Sequence, residues 1–205
     1  TRRLISLLLN FSVRYIFLFY FYIIQIVPCI SSNNITILQL HSVEITLKLL
    51  GTGNQYILGD NFYDDLPDKI YLNGDELTSY SNDNREIYIN PVDVSSETNS
   101  IKLEWNSNLN DLQSLFTGLT NILEIDFSNF DFSSVTDMID MFFGCESLTS
   151  IIFPNTKTTS LTKMDSLFSN CSSLIVLDLS CFDTSKVNNM SYLFYGCKNL
   201  ISLNM

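Results

Sequence analysis

Apolar and polar side chains alternate from residue 43 to 49: Val43, Ile45, Leu47 and Leu49 against Glu44, Thr46 and Lys48. A period of two places the two sets on opposite faces of a half-buried β-strand. Short apolar runs at 56–58, 70–72, 87–89 and 101–105 predict further strands. Turn signals separate them. Gly51, Thr52, Gly53 and Asn54 precede one run, and the hairpin dipeptide Asn73-Gly74 follows another. Residues 32–105 are therefore expected to form a small β-rich N-terminal or capping module, with its longest polar loops at 79–85 and 90–100.

From residue 106 the pattern becomes a repeat with a period of 26, kept through four copies. One column runs Leu112, Met138, Met164, Met190, and another Phe116, Phe142, Phe168, Phe194. Ile125, Asp126 and Phe127 and their copies place two inward apolar residues around one outward residue, as in a short strand. Ser133, Thr159 and Ser185 then stand where a helix N-cap belongs. Apolar residues recur after them at steps of three and four, as on one face of a helix. Gly118, Gly144, Asn170 and Gly196 close the unit with the two residue types that accept the left-handed conformation. The expected fold class is α/β: a solenoid of strand–loop–short helix units with stacked parallel strands, preceded by the β-rich module.

The stretch from Leu174 to Cys197 reads L-x-x-L-D-L-S-x-F-D-T-S-x-V-x-N-M-S-x-L-F-x-G-C. It resembles the BspA-like leucine-rich repeats of bacterial and protist surface proteins. The likeness covers 122–205 well and 109–121 with Leu119 in place of Cys. The copy at 151–158 departs, with Pro154, Thr156 and Lys157 where the others carry Ser, Phe and Asp. The resemblance implies a leucine-rich-repeat solenoid with an extracellular role in adhesion or recognition. It implies neither a single ligand nor an activity.

Before Glu44 the only charges are Arg2, Arg3 and Arg14, and 15–27 is apolar apart from Gln25. A basic start, an apolar stretch and the small residues Cys29 and Ser31 make 1–31 a signal peptide, or a retained signal anchor. The chain is thus expected to be secreted or held at the cell surface, with the membrane reached through the leader or a missing C-terminal anchor. It opens on Thr1 and stops within a repeat, so it reads as a fragment truncated at its C-terminus. The 205 residues carry a net charge of −11 and a mean hydropathy of +0.17, an uncommon pairing. The leader explains it. Removing its three arginines from the 11 basic residues leaves 8 against 22 acids, a net −14. So acidic a chain, with no basic cluster outside the leader, is not expected to bind nucleic acid. It also contains no Ala.

No catalytic set is present. His41 is the one histidine, and there is no Walker A, G-x-S-x-G or HExxH. No enzyme activity, cofactor or metal is therefore expected. Cys145, Cys171 and Cys197 share a column with Leu119, which marks a core position, and Cys181 replaces Asn129 and Asn155 in the turn after the strand. Asp60, Asp64, Asp65 and Asp68 lack calcium-loop spacing and read as a solvated loop. Sequons occur at Asn34, Asn170 and Asn189, of which Asn34 is the expected glycan acceptor. Glu124, Asp126, Ser150, Ile152, Val176, Asp178, Ser202 and Asn204 flank the inward residues of the repeat strands. These eight are the candidate face for a protein or glycan ligand. The competing expectation is a structural spacer with no specific ligand.

Overall fold

The computed structural model describes residues 43–51, 55–59, 66–77, 81–83, 86–89 and 98–205. All of them fall in one compact unit, Ser42–Met205. The leader, Asn34, His41, Asp60, Asp64 and Asp65 lie outside the described residues.

The alternation at 43–49 produces strand β1 (Val43–Leu50), which buries its odd-numbered apolar residues and turns Glu44, Thr46 and Lys48 outward. Strands β2 (Gln55–Tyr56), β3 (Lys69–Leu72), β4 (Asp75–Glu76), β5 (Ser81–Asp83), β6 (Glu86–Ile89) and β7 (Thr98–Trp105) follow. Asn73 and Gly74 join β3 to β4 with φ values of 52° and 99°, as an Asn-Gly hairpin turn requires. Strand β5 occupies part of the span expected to be a loop. The repeats supply β8 (Ile122–Asp126), β9 (Ser150–Ile152), β10 (Val176–Asp178) and β11 (Ser202–Asn204).

One mixed sheet of six strands runs in the order β4-β3-β7-β1-β8-β9. Strand β1 is antiparallel to both β7 and β8, whereas β8 and β9 are parallel. So β1 covers the edge that the first repeat strand would otherwise leave bare. Strands β10 and β11 form a separate parallel pair, and β2, β6 and β5 a third sheet. The ladder breaks between β9 and β10 beside the divergent copy. In two neighbouring copies an aspartate accepts a backbone N–H two residues on: Asp126 from Ser128 and Asp178 from Ser180, both at 2.8 Å. Ile152 and Pro154 stand at those two positions and offer neither acceptor nor donor.

The expected α/β class is overturned. Among the described residues there is no α-helix, and the one helical element is a 3₁₀ turn at Phe132–Ser134. The described residues are nearly all β in class, so the helical half of the expected unit does not form. Asp131, not Ser133, caps that turn by accepting the Ser133 N–H. Where the helix was expected, backbone donors alternate between two uses. Leu112, Ser114, Phe116 and Gly118 donate to the carbonyls of Asp137, Ile139, Met141 and Phe143 of the next copy, at 2.8–2.9 Å. Between them, Leu115, Thr117 and Leu119 donate locally to Leu112, Ser114 and Phe116, closing tight turns. The same alternation recurs at 138–145, where Met138, Asp140, Phe142 and Gly144 donate to Lys163, Asp165, Leu167 and Ser169. A train of three-residue turns also spaces apolar side chains by three and four, which is why the pattern read as helical. Parallel bridges join Asp111, Asp137, Lys163 and Asn189 in one line, so successive 26-residue coils stack in register.

The core is continuous from Val43 to Leu193. Phe116, Phe142, Phe168 and Phe194 stack through it with centroid separations of 6.0, 5.4 and 5.7 Å and near-parallel planes. Truncating one buried Phe of this kind to Ala costs about 3–5 kcal/mol. Gly59 seats the 55–59 segment on the first coil, its N–H donating to the Leu115 carbonyl at 2.9 Å. A Cβ there would lie 2.3 Å from the Ser114 carbonyl oxygen. Among the described residues no helix is long and apolar enough to cross a membrane.

Candidate binding face

Strand pleating sends alternate side chains of β7, β1, β8 and β9 to the face away from the core. Register then lines them up. Ser100, Lys48, Glu124 and Ser150 make one row across four strands. Lys102, Thr46, Asp126 and Ile152 make the next. These rows, without Lys102, line a cavity of about 400 Å³ together with Asn73, Thr98 and Asn99, over Leu47 and Ile125 of the core. That volume lies within the roughly 300–1,000 Å³ of small-molecule clefts, and nine of the twelve lining residues are polar or charged.

Most of the polar lining is fixed in place. Lys48 Nζ lies 2.7 Å from Glu124 Oε1, so the cation of the trough is already matched. Both side chains are about half exposed, and such a pair contributes under about 1 kcal/mol. Asp126 accepts the Ser128 N–H through Oδ1. Asn73 donates to Asn99 Oδ1 at 3.1 Å and accepts the Ser100 N–H at 2.9 Å, which ties the Asn73 carboxamide at the rim to the buried Asn99. Lys102, in the second row, donates to Glu104 one row further out at 2.5 Å while its ammonium sits 4.2 Å from the Tyr71 ring centroid. Burial pushes the Glu104 carboxyl up. Hydrogen bonds from Lys102 and Tyr71 outweigh it and hold the group below its ordinary range.

The eight expected ligand residues divide into two sets. Glu124, Asp126, Ser150 and Ile152 line the trough. Val176, Asp178, Ser202 and Asn204 lie on the β10–β11 pair and do not. There Asn204 donates to Asp178 Oδ1 at 3.1 Å. The Ser180 backbone N–H, followed by the Ser180 hydroxyl and Asn204, holds Asp178 below the usual carboxylate range. Ile152 and Val176 are both more than half exposed, at 53% and 57%. The reading from sequence missed Thr46, Lys48, Asn73, Thr98, Asn99 and Ser100. The outward positions of Thr46 and Lys48 were legible in the alternation. Their pairing with β8 was not.

The cysteines occupy the core, as their column implied for three of them. Cys145, Cys171 and Cys181 are buried, Cys197 is half-buried, and all four are free thiols. The Sγ–H groups of Cys145, Cys171 and Cys197 donate to the Phe116, Phe142 and Phe168 carbonyls at 3.2, 3.1 and 2.9 Å, tying each coil to the one before. Burial pushes the Cys145 thiol up to about 12 and raises Cys171 as well. Asp68 accepts the Asn106 N–H at 2.7 Å. Among the described residues no group of three or more His, Cys, Asp or Glu is placed to hold a metal ion.

A family model described as "Mycoplasma protein of unknown function, DUF285" matches residues 94–204. That span takes in β7 and all the stacked coils. No curated protein and no solved structure matches the chain.

Proposed function

The chain belongs to the DUF285 family, and from that premise we propose that it is a non-enzymatic recognition module of the secreted or cell-surface space. It engages a protein or glycan through the outer face of its sheet. The trough across β7, β1, β8 and β9 carries this reading. It is concave and dense in hydrogen-bonding groups, and an exposed Ile152 stands at its side. The likeness of 174–197 to BspA-like surface repeats supports the same assignment, as does a leader fitted for export. The test is binding of the full chain to arrays of glycans and extracellular proteins. Asp126, Ile152 and Asp178 changed together should abolish whatever binding is found. Retention of binding by that triple variant would remove this face from the function.

A second reading is favoured by one observation. Most bonds between coils use backbone groups, so stacking depends little on the chemistry of the face. On that reading the chain is a spacer. Changing the number of coils then alters the protein's role, while the triple variant has no effect.

A further inference from the structure

We infer that the trough is a binding site for an uncharged saccharide. This rests on the recognition reading and names its ligand class. Anionic ligands are disfavoured because the trough's cation, Lys48, is already bound to Glu124 at 2.7 Å. Wholly apolar ligands are disfavoured because nine of the twelve lining residues are polar or charged, among them Thr46, Ser100 and Ser150. What remains is a surface of closely spaced neutral donors and acceptors with one carboxylate, Asp126, beyond the ion pair. Polyhydroxylated rings meet such a surface with many hydrogen bonds at once, and a carboxylate can accept from two neighbouring hydroxyls. Ile152, 53% exposed in the same row as Asp126, offers an apolar patch for the C–H face of a pyranose.

The trough is also rigid enough for this task. It is built on four paired strands, and the Asn73–Asn99 pair fixes its rim before any ligand arrives. Groups already held in place lose little further entropy on binding.

The experiment probes the full chain against printed uncharged mono- to tetrasaccharides. Sulfated and sialylated glycans and Lys/Arg-rich peptides serve as separate probes. The expected result is binding to uncharged saccharides that Ser150→Trp weakens by at least about tenfold, since an indole at this exposed position fills the trough. Glu124→Gln keeps the side chain's shape but releases Lys48, and should shift the response toward the sulfated probes. A purely structural role for Glu124 would not produce that change of preference. Thermal unfolding by circular dichroism checks that both variants fold. If only cationic peptides bind, and Ser150→Trp removes them, the saccharide assignment falls while recognition by this face stands. If nothing that binds responds to either variant, both fall. Absence of binding to every uncharged saccharide also overturns the assignment.

Discussion

Ser114, Asp140, Ser166 and Tyr192 occupy one column and share a left-handed backbone, with φ values of 60°, 54°, 53° and 58°. This column keeps the expected helix from forming, because a left-handed residue reverses the winding at its centre. The Gly118, Gly144, Asn170 and Gly196 column was legible as left-handed, since Gly and Asn are the types that accept it. Serine and tyrosine carry no such mark and aspartate a weak one, so the second left-handed column could not be read from the sequence. Asp140 gives a test. Desolvation raises its carboxyl above the ordinary value, against a lowering hydrogen bond from Ser166. With the folded pKa above the unfolded one, its favourable contribution is full below the unfolded value and is lost as pH rises through the folded value. Asp140→Asn should therefore stabilise the protein at pH 7, since it relieves the remaining desolvation and supplies a better left-handed residue. The gain is no more than ~0.5 kcal/mol, because the partly exposed carboxylate is screened by solvent. The gain should shrink as pH falls through the raised pKa, which urea titrations at pH 7 and pH 4 would register. The thiols give a second test. Cys145 and Cys171 are buried, and Cys145 titrates only near 12. Alkylation at pH 8 should leave both unmodified in the native protein and label them after denaturation, as read by peptide mass.

At the scale of elements, strand alternation at 43–49 foretold which faces are buried, but not that β1 would join β7 to β8. Nothing local marks residue 46 as the partner of residue 126, because antiparallel pairing over such a separation follows from the whole fold. Half of the candidate site was hidden for that reason. Glu124, Asp126, Ser150 and Ile152 were readable as outward positions of a repeat, whereas the wall from β7 and the Asn73 turn appears only once β1 is in place. The cap depends on Gly59 as well as on β1. Gly59→Ala forces a Cβ against the backbone of Ser114 and Thr117, at 2.3 and 2.7 Å, and neither can move without distorting the first coil. The expected cost is about 1–3 kcal/mol, seen as a lower urea midpoint at an unchanged slope. A lowered slope would mean instead that the 55–59 segment had come away in the native state.

Across the whole described unit, the continuous core makes the β-rich region and the coils one folding entity. The sole tryptophan, Trp105, sits at the end of β7 and is 1% exposed. Its fluorescence reports the capping sheet, while far-ultraviolet dichroism reports all the strands. Their urea transitions should coincide, since neither part can lose its share of the core alone. An earlier fluorescence transition would show a cap that detaches before the coils unravel. The regular offset of the bonds between coils carries a further consequence. At 112–118 and again at 138–144, alternate N–H groups meet carbonyls of the following coil 25 positions on. An in-frame duplication or loss of one whole coil therefore leaves every donor facing an acceptor. Allelic variants of such a gene should differ in length by whole repeats, while the cap, which does not repeat within 43–205, keeps its length.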